Sequence, residues 1–329
     1  MHIFTATLSV VLSVSMQLTD GRTTVSRTRH DLGFRLAPSG AVTPFVIDLV
    51  MLQAALARLA PAFKQEAIDA RPEWVAGKLK LSPGVFARKL DVGETAQRLL
   101  KTIQEKPSTL RTTVVLTKSP PVLTSAKLQG ITGILGRMVT RTNSVAKRNQ
   151  NIEIASQAID GTLLSPGEVF SLNEVVGKRT QARGYRTATV FVAAELVPGV
   201  GGGVSQVTGT VFNAAALAGL RIVEVNPHSR PVSYLPLGRD ATVAYGDKDL
   251  KFVNNTKSPI FVACSLRGTT LTATLFGATV TGRRVTLTPR VHSLSPGRIN
   301  AELYRTIRQG GEVIAKERLL SHTYRWNAP

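Results

Sequence analysis

The stretch that decides the fold is Pro198-Gly199-Val200-Gly201-Gly202-Gly203-Val204-Ser205-Gln206. Three successive glycines let the backbone approach a partner closely or adopt a positive φ. Helix signals begin directly after them, so Ser205 is predicted at a helix start, where free N–H groups and the helix dipole favour anions. No Gly-Lys-Ser/Thr follows, which excludes a phosphate loop of the Walker type.

Ser205 has two interpretations at this position. In the first it is a nucleophile at the electropositive end of a helix, the placement used by papain-like and transglutaminase-like enzymes. In the second it only caps the helix, because serine is a preferred N-cap residue. The local sequence leaves both interpretations open.

A histidine and an aspartate follow at positions that could join Ser205. His228 stands in Asn226-Pro227-His228-Ser229, and Asp240 comes 12 positions later at the mouth of a predicted strand. A nucleophile at a helix start, then His, then Asp on neighbouring strands, is the order of the Cys/His/Asp hydrolases and transferases. The order predicts attack by Ser205, proton transfer by His228 and orientation by Asp240.

Such a site also needs donors for an oxyanion or a substrate. The residues expected to supply them are Gly201, Gly202, Gly203, Gln206 and Arg239. The alternatives are structural: His228 is then a polar turn residue between two prolines, and Asp240 is a turn former or the ion-pair partner of Arg239.

Outward from the glycines, the chain predicts an α+β fold. Helices are expected over Ser205–Ala218 and from Asn143 or Ser144 to just before Gly161, with a strand over Arg186–Val197. Most of the remaining chain predicts strands, at Arg221–Val225, Ala241–Tyr245, Leu250–Val253, Pro259–Ser265, Thr270–Phe276 and Val285–Pro289. A hairpin is expected near the end, with its turn at Gln309-Gly310-Gly311-Glu312.

The N-terminal third is also predicted to be α+β. It has strands over Ala6–Leu18, Thr23–Arg29 and Thr112–Thr117, and a helix over Gly93–Gln104. Another helix is expected to be capped by Thr43 and to end at Pro61, since Phe45, Leu49, Leu52, Leu56 and Leu59 share one face. A break at Ser119-Pro120-Pro121 divides the chain into predicted domains 1–120 and 121–280, followed by a β-rich segment 281–329.

Composition limits the class of function. The 329 residues include 43% apolar and 19% charged residues, which is typical of globular domains. The net charge of +20 would attract anionic wall polymers, anionic lipid or nucleic acid. Aromatic residues make up only 5% and no nucleic-acid-binding motif is present, so a nucleic-acid-binding function is the weakest alternative.

The sequence offers no pattern for a metal or a cofactor, and none is expected. Cys264 is the single cysteine, which excludes an intrachain disulfide and a multi-cysteine zinc site. Its surroundings, SPIFVACSLRG, indicate a buried strand residue rather than a reactive thiol. The apolar start of the chain lacks a preceding Lys or Arg and a clear cleavage site, so it contains no clear signal peptide. A misplaced gene start and an export signal further upstream are the two explanations left open.

About 130 residues, from Asn149 to Gly277, resemble the VanW-like domain of bacterial cell-envelope proteins. The resemblance is carried in order by Asn149-Gln150-Asn151-Ile152, Ser165-Pro166-Gly167-Glu168-Val169-Phe170-Ser171-Leu172-Asn173, Arg183-Gly184-Tyr185, Gly201-Gly202-Gly203, Ser205-Gln206, Pro227-His228-Ser229 and Gly238-Arg239-Asp240-Ala241-Thr242-Val243-Ala244-Tyr245-Gly246. Many members of the family have Cys-Gln where this chain has Ser205-Gln206, so thiol chemistry would be lost here.

The N-terminal third more weakly resembles the peptidoglycan-binding domain that often precedes VanW and L,D-transpeptidase domains, through Lys89-Leu90-Asp91 and Arg98-Leu99-Leu100. These resemblances imply a location in the cell envelope or outside the cell and a papain-like or transglutaminase-like α+β fold. They imply no established reaction. The family is associated by name with vancomycin resistance.

Two functions follow as expectations. The first is a non-catalytic module that binds peptidoglycan or an anionic cell-wall polymer through its basic faces. The second is an acyl-transfer or hydrolytic enzyme that acts on peptidoglycan peptides through Ser205, His228 and Asp240. The serine in place of cysteine favours binding.

Overall fold

The computed structural model describes residues 12–38, 45–192 and 195–325 and has the predicted α+β composition. The chain divides into two compact units. Unit 1 comprises Met1–Ala70 and Pro83–Thr124, and unit 2 comprises Arg71–Ser82 and Ser125–Pro329. No helix among the described residues is long and apolar enough to span a membrane.

Unit 1 packs two helices against short strands. Its elements are β1 (Ser15–Thr19), β2 (Thr24–Thr28), β3 (Phe34–Leu36), β4 (Phe45–Ile47), α1 (Leu49–Leu59), β7 (Ala87–Leu90), α2 (Val92–Glu105), β8 (Arg111–Thr113) and β9 (Leu116–Ser119). Strand β1 pairs with β2 and β8, while β3 pairs with β4 and β7 with β9. Leu52, Leu56 and Leu99 lie in its apolar core.

Unit 2 is built on a four-stranded antiparallel sheet. The strand order is β10 (Gly133–Arg141), β18 (Thr270–Gly277), β17 (Ile260–Arg267) and β11 (Thr162–Leu164). Helices α3 (Ala146–Ile159) and α5 (Val204–Leu217) pack on this sheet and on each other. Helix α5 is buried nearly all round, and its buried polar side chains Thr208, Thr210 and Asn213 donate to carbonyl oxygens one turn earlier in the helix.

Smaller elements surround this core. They are the hairpin β5 (Arg71–Val75) to β6 (Lys78–Ser82), the sheet of β12 (Val169–Ser171), β16 (Lys251–Val253) and β15 (Arg221–Glu224), the short helix α4 (Leu172–Val176), and the pair β13 (Thr187–Val192) and β14 (Glu195–Val200). A terminal sheet follows, formed by β19 (Arg283–Ser295), β20 (Arg298–Gln309) and β21 (Glu312–Arg325).

The sequence predicted many of these helices and strands. Helices α2, α3 and α5, the hairpin turn before Glu312 and the strands β2, β15, β16, β17 and β18 are confirmed. The predicted helix containing Phe45 is wrong in its first turn, because Phe45 lies on a strand and Asp48 caps α1. Its predicted cap, Thr43, lies outside the described residues.

The strand predicted over Ala6–Leu18 is described only from residue 12. In that part, β1 begins at Ser15.

Three strand predictions are wrong. The single strand predicted over Thr112–Thr117 is two strands, β8 and β9, which belong to different sheets. The single strand predicted over Arg186–Val197 is a hairpin of β13 and β14. The strand predicted over Ala241–Tyr245 is an irregular segment held by isolated bridges from Thr242 to Asn226 and from Ala244 to Lys248. Strand β10, at the edge of the central sheet, was not predicted.

Candidate functional site

The glycine turn, Gly201–Gly203, lines a cleft. Each of its three positions requires glycine for a separate structural reason. Gly201 and Gly203 adopt φ values of +90° and +110°, which side chains disfavour. At Gly202, a Cβ atom would lie 2.5 Å from the carbonyl oxygen of Thr189 on β13. The turn therefore needs glycine at all three positions to reach β13 and enter α5.

A buried asparagine holds this turn in place. The Asn151 amide of α3 donates to the carbonyl oxygens of Gly202 and Arg186, each at 2.9 Å, and its oxygen accepts the Arg186 N–H at 2.7 Å. Asn151 has no exposed surface. Asn151 lies in Asn149-Gln150-Asn151-Ile152, one of the segments that resemble the VanW-like family. Nothing in the local sequence indicated that it anchors the glycine turn.

Ser205 lies in the first turn of α5 and is not its cap. Gly203 is the N-cap residue and supplies no side-chain hydrogen bond, so the interpretation of Ser205 as the cap is wrong. The Ser205 hydroxyl lies 3.0 Å from the Thr242 hydroxyl instead. Ser205 and Thr242 both line the cleft.

Gln206, which was expected to bind an oxyanion or a substrate, forms hydrogen bonds within the protein instead. The Gln206 amide donates to the Thr140 hydroxyl and the Arg141 carbonyl oxygen, and its oxygen accepts from Arg148 at 2.7 Å. Its backbone N–H donates to the Gly203 carbonyl oxygen at 3.0 Å. Gln206 therefore holds Arg148 rather than offering its own amide to an oxyanion.

Arg239 does not fit the expected substrate-binding role. Its guanidinium donates to the Asn213 oxygen at 2.7 Å, and it is not among the described residues that line the cleft. Burial lowers the pKa of Arg239. Arg239 thus contacts α5 through Asn213 rather than the cleft.

His228 and Asp240 form a buried pair, as their order along the chain predicted. The His228 Nδ1 lies 2.8 Å from Asp240 Oδ2, and the same oxygen accepts the His228 backbone N–H at 2.8 Å. Their exposed fractions are 3% and 1%. Because the carboxylate accepts, Nδ1 carries the proton and Nε2 carries the lone pair of the neutral ring.

A tyrosine from the terminal sheet completes this pair. Tyr324 of β21 donates its hydroxyl to Asp240 Oδ1 and accepts the Gly238 N–H at 2.9 Å. Burial raises the pKa of Asp240, but the hydrogen bonds from His228 and Tyr324 outweigh it, so the pKa lies below its ordinary value. No local pattern indicated this role of Tyr324, because 84 positions separate it from Asp240.

The cleft itself is basic. Its volume is about 820 Å³, and its lining includes Ser205, His228 and the glycine turn. Four cationic side chains line it, and none of the described lining residues is Asp or Glu. These cations are Lys147, Arg148, Lys178 and Arg179.

The two arginines pack against the glycine turn. A Cβ on Gly201 would lie 3.0 Å from the Arg179 Cβ, and one on Gly203 would lie 2.9 Å from an Arg148 guanidinium nitrogen. Arg179 donates to the Asn173 amide oxygen at 2.6 Å, and its Nη2 is buried without a partner among the described residues. Burial lowers the pKa of both arginines. Each guanidinium is thus held by a neutral amide.

Within the described part of the chain, no group of three or more His, Cys, Asp or Glu residues is placed to hold a metal ion. The cleft lining includes the imidazole of His228 and the hydroxyls of Ser205 and Thr242. The arrangement can therefore bind an anion and move a proton at one nitrogen.

The fold and cleft define an α+β domain with a basic cleft at a glycine-rich helix start. Residues 147–276 match the family model described as VanW like protein. The match confirms the resemblance to the VanW-like family that was predicted for this segment. It leaves the first 146 residues unmatched, and a peptidoglycan-binding role for them stays a prediction.

Two curated relatives are similar to the chain. The uncharacterized protein YoaR of Bacillus subtilis is 44% identical over 169 residues, which cover 51% of this chain and 56% of YoaR. The vancomycin B-type resistance protein VanW of Enterococcus faecalis is 29% identical over 111 residues, covering 32% of this chain and 40% of that protein. The chain thus spans about half the length of these relatives. No solved structure matches it significantly.

Proposed function

We propose that this chain is a cell-envelope protein whose basic cleft binds an anionic group of peptidoglycan or of another cell-wall polymer. The observation that carries the proposal is the lining of the cleft, with four cations and no acidic side chain among its described residues. Kinship with the VanW-like family supports a location in the cell envelope.

Arg148 and Arg179 are the binding residues of this proposal. Guanidinium groups bind carboxylate and phosphate oxygens with two parallel donors. Both side chains are partly desolvated, and the hydrogen bonds that hold their head groups come from neutral amides. An anionic ligand would give these partly desolvated cations a directly bonded partner of opposite charge, which favours binding.

Sedimentation with purified peptidoglycan sacculi tests this proposal. The double variant Arg148→Gln/Arg179→Gln should bind at least about tenfold more weakly, because one charge-assisted hydrogen bond contributes about 1.5–3 kcal/mol. The matched control is Arg137→Gln/Arg267→Gln, which removes the same charge from exposed positions outside this cleft. Sacculi with and without their anionic polymers identify which component is bound.

Equal losses in the two double variants would place binding outside the cleft. No binding by the unaltered protein at low salt, where charge attraction is strongest, would refute the proposal altogether. Circular dichroism and thermal melting of each variant would exclude unfolding as the cause of a loss.

A second candidate function is acyl transfer, and the buried His228–Asp240 pair favours it. His228 lines the same cleft as Ser205. In this reaction His228 Nε2 takes the proton as the Ser205 hydroxyl attacks a peptide carbonyl, and the backbone N–H of Ser205 in the first turn of α5 stabilises the oxyanion. The leaving amine takes that proton, and water or another amine then releases the acyl group.

Mass spectrometry of peptidoglycan peptides incubated with the protein tests this second function. Ser205→Ala should abolish any turnover while leaving binding to sacculi in place, and Ser233→Ala is a control at another serine of the cleft lining. Turnover that persists in Ser205→Ala would exclude the serine as nucleophile. Absence of turnover in the unaltered protein would leave binding as the function.

A further inference from the structure

We infer that Tyr324, on the last strand of the terminal sheet, is a positioning residue of the cleft: it holds Asp240 so that Asp240 can orient His228. The inference rests on the second candidate function, acyl transfer, in which His228 accepts a proton. It goes beyond that proposal because Tyr324 lies outside the segment 147–276 that defines the family.

The hydrogen bonds divide the two oxygens of Asp240 between two tasks. Oδ2 accepts the backbone N–H and the ring Nδ1 of His228, each at 2.8 Å. Oδ1 accepts the Tyr324 hydroxyl, which in turn accepts the Gly238 N–H at 2.9 Å. Tyr324 thereby fixes the carboxylate rotation that points Oδ2 at the imidazole.

Strand β21 is also bonded directly to the loop that carries His228. The Arg325 N–H donates to the Ser229 carbonyl oxygen at 2.9 Å. The His322 ring packs edge-on against the Tyr324 ring, with centroids 4.9 Å apart. Because Tyr324 has no exposed surface, water cannot replace Asp240 as the hydrogen-bond partner of its hydroxyl unless strand β21 moves.

The charge of Asp240 depends on its neighbours. The titratable groups near it are His228, Tyr324, Tyr234 and His322. Of these, His228 and Tyr324 donate hydrogen bonds that lower the pKa of Asp240. Loss of the tyrosine hydroxyl would therefore raise the pKa of this carboxyl while the apolar surroundings remain.

The test is Tyr324→Phe in the full chain with ¹³C-labelled aspartate. The Asp240 carboxyl should titrate at a higher pH in this variant than in the unaltered protein, because it has lost one donor. The ¹⁵N signals of His228 should show Nδ1 protonated in the unaltered protein and a less uniform tautomer in the variant. A buried tyrosine with only a packing role would change neither signal.

Tyr304→Phe is the matched control, since Tyr304 lies on the neighbouring strand and bonds to Glu302 at 3.2 Å rather than to Asp240. It should leave the Asp240 titration unchanged. An identical Asp240 titration in Tyr324→Phe and in the unaltered protein would overturn the inference. Absence of turnover by the unaltered protein would refute the acyl-transfer function instead, and the two failures are thus distinguishable.

Discussion

At the scale of single residues, Asn151 shows how a residue outside the cleft lining can determine the position of the glycine turn. Its side chain makes three hydrogen bonds to the glycine turn and to Arg186. Replacement by alanine leaves buried polar groups without partners, and each such group costs about 1–3 kcal/mol. The position of the turn therefore depends on one amide group of the neighbouring helix.

We expect Asn151→Ala to lower the free energy of unfolding by about 2 kcal/mol in urea denaturation. Gln157→Ala on the same helix should change it by less than about 0.5 kcal/mol, because that side chain is exposed. A similar, small effect of both substitutions would contradict the anchoring role of Asn151.

Cys264 illustrates a residue whose chemistry is suppressed by its surroundings. The thiol lies inside β17 with 3% of its surface exposed, and burial raises its pKa to about 12. We expect no reaction with a thiol reagent at about pH 8, where a free cysteine is partly ionised, and full reaction after unfolding in urea. Rapid labelling of the native protein would show that the strand opens.

The sequence could predict only part of the candidate site. The pairing of His228 with Asp240 followed from their order along the chain, and they lie 2.8 Å apart. Their catalytic roles, and that of Ser205, stay predictions. The positions of Gln206 and Arg239 depend on neighbours from distant segments, which local patterns do not reveal.

At the scale of secondary structure, the terminal sheet holds the end of the helix whose start forms the cleft. Arg305 of β20 donates to the carbonyl oxygens of Ala216 and Leu220 at 3.2 and 2.6 Å and pairs with Glu317 at 2.7 Å. A cation is favourable at a helix C-terminus, where carbonyl oxygens are unpaired. The sheet therefore contacts α5 and Asp240 at separate points.

We expect Arg305→Met to lower the free energy of unfolding by about 2 kcal/mol, because buried carbonyl oxygens lose their donor. Arg318→Met is the matched control on β21: it breaks an ion pair with Glu302, but the arginine is 55% exposed. Exposed ion pairs contribute about 0–1 kcal/mol. Chemical denaturation would measure both, and equal effects would contradict the proposed support of α5.

Helix prediction succeeded where the apolar period was long, as in α2 and α5. Strand prediction failed where pairing decides the structure. Apolar and polar residues alternate over 241–245 as they do in a strand. Thr242 nevertheless forms an isolated bridge with Asn226 and contacts the Ser205 hydroxyl. Such partners lie far away in the sequence, so the local pattern cannot identify them.

At the scale of the whole molecule, the buried carboxylate Asp240 makes stability depend on acid pH. Its folded-state pKa is depressed, so it contributes stability above its unfolded pKa and loses it as the pH falls through the folded value. We expect stability to be retained above about pH 4 and to decline below it. Urea denaturation from pH 7 downward would measure this decline, which Asp240→Asn should make shallower; an equal slope in the variant would contradict the role of Asp240.

The division of the chain into two units limits where related proteins can exchange segments by recombination. Unit 2 contains residues 71–82, although the chain returns to unit 1 before completing unit 2 from Ser125. Within unit 2, Arg71 binds both carboxylate oxygens of Asp160 at 2.6 and 2.7 Å. A gene recombination with one crossover at residue 120 would separate this arginine from its aspartate. An exchange of unit 1 between relatives must therefore leave residues 71–82 in place, or transfer Asp160 together with Arg71.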